Sequence, residues 1–190
     1  MKARDNPFCT DRVLRVRYKL AGMNWPQLML RLAELNYCAA IVGSHGSGKT
    51  TLLEDLEPRL TECRFQPKRL RLDEDHRFFD RSFLNAFFAD LSPRDIILLD
   101  GAEQMSRLAW RRFLFLARTA GGLIVTSHRP GLLPTLIECR TTPALFAEIL
   151  DEVLDEDAPG VRANASELFR RHRGNLRDAL RECYDICAAQ

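Results

Sequence analysis

At 190 residues, with 46% hydrophobic and 28% charged side chains, the chain is long enough for one sizeable core, or a compact domain with a small appendage, and too apolar for a disordered polymer. A formal net charge of +2 supplies no bulk basicity to attract nucleic acid or an anionic membrane, and the arginine excess, 24 against 4 lysines, does not change that balance. No apolar run approaches the ~20 residues of a membrane span, no apolar signal-peptide segment accompanies Lys2, Arg4, Arg12, Arg15 and Arg17, and the six cysteines form no C-x-x-C pair. They are expected to be small core residues in a reducing cytoplasm, with metal or disulfide use as the alternative.

Residues 1–22 read as a partly extended lead-in containing Asn6-Pro7-Phe8. Apolar residues at Trp25, Leu28, Met29, Leu32 and Leu35 then recur at helical spacing with Pro26 in the first turn, which predicts a helix delivering the chain into a strand at Tyr37–Val42. That strand runs into Gly43-Ser44-His45-Gly46-Ser47-Gly48-Lys49-Thr50, which fits the phosphate-loop pattern G-x-x-x-x-G-K-[ST] at every fixed position. Thr51-Leu52-Leu53-Glu54-Asp55-Leu56 opens a helix behind it. A polyphosphate leaving water needs its charge met, and this arrangement offers a row of backbone N–H groups from Gly43 to Thr51, a helix N-terminus and one ammonium. Gly43, Gly46 and Gly48 let the backbone bend around phosphates without a Cβ, Lys49 is expected to reach the β- and γ-phosphates of ATP, and the Thr50 hydroxyl to ligate Mg²⁺. Phe8 then has two readings, a cover over the adenine or a packing residue, and packing is the expectation.

The helix behind the loop is expected to run to about Cys63, kinked or shortened by Pro58. Arg69–Leu72 reads as a second strand, ending in Asp73-Glu74-Asp75. These carboxylates are either a solvated loop or a cluster facing the phosphates or a second substrate from the C-terminal edge of the sheet. After a helix at Ser82–Leu91, the run Asp95-Ile96-Ile97-Leu98-Leu99-Asp100 has the character of a central, doubly covered strand whose closing carboxylate, Asp100, faces the Mg²⁺ site. Glu103, in the turn that follows, is placed to polarise an attacking water. An amphipathic helix over Met105–Ala120 stops at Gly121-Gly122. The strand Leu123–Thr126 leads into Ser127-His128-Arg129-Pro130, and Thr135–Cys139 reads as a fifth strand.

Strands alternating with helices predict an α/β fold, a five-stranded parallel sheet with right-handed crossovers, sandwiched by helices. From Pro143 the pattern is helical only, with a polar break at 155–160 and two last helices, Ala165–Arg173 and Leu176–Ala188, joined at Gly174-Asn175. The expected organisation is therefore a lead-in and helix over 1–35, a nucleotide-binding core over 36–142 and a small helical lid over 143–190. Among the lid arginines, Arg177 is singled out by its place after the Gly-Asn turn, whereas acidic neighbours offset most of the others.

With these residues in hand, the chain resembles the AAA+ and STAND branch of P-loop ATPases across residues ~36 to 188. Gly43 to Thr50 is similar to Walker A and Asp100 to the Walker B acid. Thr126-Ser127-His128-Arg129-Pro130 resembles the run in which AAA+ proteins place sensor 1, which implies that role for His128; STAND proteins carry T-S-R there, which implies it for Arg129. Gly174-Asn175-Leu176-Arg177 resembles the sensor 2 turn and implies that Arg177 lies over the γ-phosphate. Gly101 departs from the family, which has a glutamate after the Walker B aspartate, so Glu103 would have to substitute for it. The link between the fourth and fifth strands is too short for the usual helix carrying an arginine finger, which argues against a conventional hexameric ring while leaving a homo-oligomer open.

The resemblance implies a cytoplasmic, Mg²⁺-dependent ATPase that couples lid motion to a protein partner, with Lys49, Glu103, His128, Arg129 and Arg177 in catalysis and Thr50 and Asp100 at the metal. A nucleotide-dependent switch with negligible turnover is the alternative that Gly101 raises. A small-molecule kinase is the other, because Leu72-Asp73-Glu74-Asp75-His76-Arg77 resembles a run that adenylylsulfate kinases place after their second strand, with Asp73 or Asp75 accepting the proton of an acceptor hydroxyl.

Overall fold

The computed structural model describes residues 6–73, 75, 79–154, 161–162 and 164–189. Lys2, Arg4, Glu74, His76, Arg77 and the polar break at 155–160 lie outside the described residues. The chain groups into two compact units: one of residues 20–43 and 49–138, the other of residues 1–19, 44–48 and 139–190.

The first unit is organised by an all-parallel sheet in the order β2-β3-β4-β1-β5. Its strands are β1 (Cys38–Gly43), β2 (Gln66–Arg71), β3 (Asp95–Asp100), β4 (Gly122–Ser127) and β5 (Thr135–Cys139). The strands of the middle of the sheet are apolar runs because both of their faces are covered: Ala39 to Ile41, Ile96 to Leu99 and Ile124 to Val125 are fully buried. β2 begins three residues before the expected Arg69 and includes Pro67. An edge position permits this, since a proline N–H is not there to be missed by a second neighbour.

The helices follow from caps and buried stripes. α1 (Thr10–Val13) lies in the lead-in, and α2 (Trp25–Glu34) starts at a capping box in which Asn24 accepts from the Gln27 N–H at 3.0 Å and the Gln27 side chain accepts from the Asn24 N–H at 2.9 Å. α2 buries Leu28 and Leu32. α3 (Lys49–Glu62) runs unbroken through Pro58, which corrects the expectation that the helix would be shortened there. Leu52, Leu53, Leu56 and Leu60 bury one stripe on either side of the missing N–H, and this packing outweighs one lost hydrogen bond. α4 spans Arg81–Ala89, capped by the Asp80 carboxylate. After a 3₁₀ turn at Ala102–Gln104, the helix expected over Met105–Ala120 is α5 (Arg107–Leu116) continued by a 3₁₀ turn at Ala117–Thr119. The Ser106 hydroxyl accepts from the Ala109 N–H at 3.2 Å, which fixes the helix start after Met105.

The second unit holds α6 (Pro143–Val153), α7 (Ala165–Arg171) and α8 (Leu176–Ala188) around a core that includes Phe146, Leu150, Leu168, Ala179, Cys183 and Phe8. Phe8 is 4% exposed within it, so packing is its role. The neighbouring Asn6, equally buried, donates from Nδ2 to the Tyr184 carbonyl at 2.9 Å and accepts from the Phe8 N–H at 2.9 Å, tying the lead-in to α8. Cys183 and Cys187 are free thiols on the buried face of α8, and burial pushes the Cys183 thiol up to about 12. That places them as core residues; among the described residues no group of His, Cys, Asp or Glu could form a protein-only metal cage.

Asp95 opens β3 with a carboxylate that is 2% exposed. Its Oδ2 accepts from the Ser92 N–H at 2.7 Å and the Ser92 hydroxyl at 2.6 Å, with the Lys68 ammonium 3.8 Å from Oδ1. Burial opposes ionisation, but the two Ser92 bonds and Lys68 outweigh it and hold the carboxyl below its ordinary 3.8. A lowered folded pKa gives stability that is complete above the unfolded value and is lost as pH falls through the folded one. Asp95→Asn is therefore expected to lower the melting temperature at neutral pH, and the gap from wild type to narrow in thermal unfolding below about pH 3.8. A gap independent of pH would show that ionisation at Asp95 adds nothing to the fold.

Candidate functional site

The parallel register sets the C-terminal ends of β1, β3 and β4 side by side. Ile41 pairs with Thr126 and Leu99 with Val125, so Asp100, one residue further along β3, arrives beside Thr126. The Asp100 carboxylate receives two hydroxyls. Thr50 Oγ1, in the first turn of α3, donates to Oδ2 at 2.9 Å, and Thr126 Oγ1 donates to Oδ1 at 2.6 Å. Thr126 also accepts from the Gly101 N–H at 2.8 Å. Three elements thus converge on one carboxylate. Lys49, 9% exposed, donates from Nζ to the Gly43 carbonyl at 2.9 Å, which keeps its ammonium at the end of β1.

One 3₁₀ turn beyond Asp100, Glu103 lies opposite the residue that follows β4: Glu103 Oε1 is 3.1 Å from His128 Nε2, both side chains about a quarter exposed. Between the two acids, Gly101 takes a tight turn. Its φ is +84°, and a Cβ built on it would lie 2.2 Å from the Leu72 carbonyl oxygen. A side chain there would force the Leu72 backbone to move and would sit in a left-handed conformation that disfavours it.

In the second unit, the loop residues 44–48 meet the turn before α8. Gly46 has φ +67°, and a Cβ on it would fall 1.8 Å from Asn175 Oδ1 and 3.1 Å from the Arg177 backbone nitrogen. The Leu176 N–H donates to the Gly46 carbonyl at 3.2 Å, and the Asn175 side chain accepts from the Asp178 N–H at 3.3 Å as the α8 cap. Gly48 has φ +86°, with the Tyr18 ring 3.1 Å from where its Cβ would be. Ser47, 2% exposed, donates its hydroxyl to the Ser44 carbonyl at 2.8 Å.

The structure therefore joins Thr50 to Asp100 and Glu103 to His128 within the first unit, and the Gly46 loop to the Arg177 turn within the second. Ser44, His45 and Arg129 are exposed, as is Arg177 in the first turn of α8. Ser127 holds the Arg129 backbone, donating its hydroxyl to the Arg129 carbonyl at 2.8 Å. Thr51 continues α3 behind Thr50. Asp73 Oδ1 accepts from the Asp75 N–H at 3.2 Å, a turn closed on itself, with Asp75 exposed. Thr126 and Asn175 lie in the two runs singled out by the resemblance but had no role assigned there: Thr126 bonds Asp100, and Asn175 packs on Gly46.

The donor set at Asp100 suits a hard divalent cation. A hydroxyl and a carboxylate oxygen already share one locus, and Mg²⁺ takes one or two protein oxygens together with phosphate and water oxygens in preference to an all-protein cage.

Replacing Gly101 by glutamate, the residue that the resemblance leads one to expect there, should unfold the turn and not accelerate any reaction: the Leu72 carbonyl leaves no room. Gly101→Ala alone is expected to cost about 1–3 kcal/mol by denaturant unfolding. A Gly101→Ala protein of unchanged stability would mean that the β3 end rearranges freely.

No known family profile matches the sequence, and no curated protein does. Among solved structures the chain is similar to RuvB of Thermotoga maritima, described as a Holliday junction branch migration motor, with TM-score 0.56 and 17% identity over 90% of this chain and 64% of that one. A second RuvB structure from that organism gives TM-score 0.56 at 18% identity, over 83% of this chain and 58% of that one. AMPPCP-bound DnaA from Aquifex aeolicus gives TM-score 0.54 at 18% identity, over 79% and 58%. The chain thus spans about three fifths of the length of these proteins. This likeness shows the fold alone: the chain shares with these proteins an α/β architecture, a five-stranded parallel sheet flanked by helices.

Proposed function

We propose that the chain is a Mg²⁺-dependent ATPase of AAA+/STAND type whose nucleotide cycle moves the α6–α8 helices and so acts on a protein partner. The observation that carries this reading is the 2.9 Å bond from Thr50 to Asp100, which brings the hydroxyl of the phosphate-loop motif and the acid of the β3 strand to one point. A chance glycine-rich turn has no reason to end on a strand-terminal carboxylate fifty residues away.

In this reading Lys49 gives its ammonium to the terminal phosphates in exchange for the Gly43 carbonyl, and the amides of residues 44–51 line the phosphates. Thr50 and Asp100 would hold Mg²⁺, which when bound would supply positive charge against the phosphates. Thr126 keeps the Asp100 carboxylate turned toward that point. Glu103 orients water and takes its proton as the water oxygen bonds to the γ-phosphorus and the bond to the β-phosphate oxygen breaks. His128 fixes Glu103, and Arg129 or Arg177 supplies positive charge for the γ-phosphate in the transition state. The Leu176–Gly46 bond supports coupling to the helical unit, because any change at the loop apex is felt by the first turn of α8.

Lys49→Ala is expected to abolish binding of a fluorescent ATP analogue. Glu103→Gln should bind it with wild-type affinity and release phosphate about 100-fold more slowly. Equal phosphate release by Glu103→Gln and wild type would remove Glu103 from the mechanism. The switch reading is favoured by one feature, the glycine that excludes an acid at 101, and tight ATP binding by wild type with no phosphate release above background would establish it instead.

A further inference from the structure

The outer face of α5 is amphipathic in a way that the fold does not use. Trp110, Phe113 and Ala117 point inward and are buried. On the opposite side Leu108 is 78% and Phe115 61% exposed, two of the few large apolar side chains left in water. They are seven residues apart, which on a helix is about two turns and one face. Arg111 and Arg112 lie between them, Arg107 and Arg118 flank them, and all four are exposed. The Arg118 guanidinium stacks 3.7 Å over the Phe115 ring. No Asp or Glu occurs between residues 104 and 120, and among the described residues Arg107, Arg111 and Arg112 make no ion pair.

From this we propose that the Leu108–Phe115 face of α5 is a docking surface for an acidic amphipathic helix of a partner protein. Two apolar positions one heptad apart, with basic residues between and beside them, are complementary to a helix that presents its own apolar side chains at that spacing and carboxylates around them. Charge selects the partner: four arginines that make no ion pair among the described residues repel a basic helix and attract an acidic one. Leu108 and Phe115 are what favour a protein over nucleic acid, since phosphates would engage the arginines and leave both apolar side chains in water. A second copy of this chain is the weaker complement, because the carboxylates of its exposed acidic helix, Glu148, Asp151 and Glu152 on α6, already face Lys19 and Arg162. The surface lies wholly within the sheet unit, and the proposal stands whether or not the chain hydrolyses ATP.

The test is a displayed library of helical peptides selected on the full-length wild-type protein and counter-selected on the double variant Leu108→Ser/Phe115→Ser. Recovered peptides should be acidic, carry apolar residues seven apart, and bind wild type at least about tenfold more tightly than either that variant or Arg111→Glu/Arg112→Glu, with affinity falling as NaCl rises. All four positions are exposed, so both variants should melt with wild type. Should one not, Phe115→Ala and Arg112→Ala carry the comparison. The proposal is overturned if no peptide is recovered, or if recovered peptides lack acid or bind the variants equally. It also fails if a short duplex DNA binds wild type and the serine variant alike but not the glutamate variant, or if wild type sediments as a dimer that the serine variant dissolves.

Discussion

The structure depends on how one carboxylate is satisfied. Asp100 ends a strand buried on both faces, where an ionised side chain without partners would be costly. Thr50 and Thr126 each give it a hydroxyl, one from the helix after the phosphate-loop motif and one from the neighbouring strand. These bonds join the first turn of α3, the end of β3 and the end of β4 at one carboxylate.

The second constraint is steric. β3 is forced at Gly101 into a left-handed turn under the Leu72 carbonyl, and the chain then coils through a short 3₁₀ segment before Ser106 starts α5. Glu103 rides on that segment and finds His128 across from it. The Glu103 carboxylate is thereby carried on a turn past the strand end, and faces an imidazole from the residue after β4.

Much of this was legible in the sequence because the chemistry is local. The phosphate loop is defined by fixed spacing, Asp95–Asp100 by four apolar residues before an acid, and the parallel sheet by regular alternation; β3 and β5 fall on their expected residues. The misses have physical causes. Pro58 is tolerated because packing on Leu52, Leu56 and Leu60 overrides a backbone penalty, something that no local rule sees. β2 starts early because its edge position, a property of the whole sheet, excuses Pro67. The roles of Thr126 and Asn175, though both lie in the runs that the resemblance picks out, were not readable since each acts through a neighbour distant in sequence: Asp100 for one, Gly46 for the other. Phe8 had two readings until the buried Asn6 clasp placed it.

The bond between Leu176 and Gly46 has a further electrical meaning. A peptide plane can rotate, and if the one after Gly46 turned over, an oxygen would face an approaching anion in place of a hydrogen. By occupying that oxygen from outside, the start of α8 holds the peptide plane after Gly46 in one orientation, so a backbone bond of a helix fixes which way a loop dipole points.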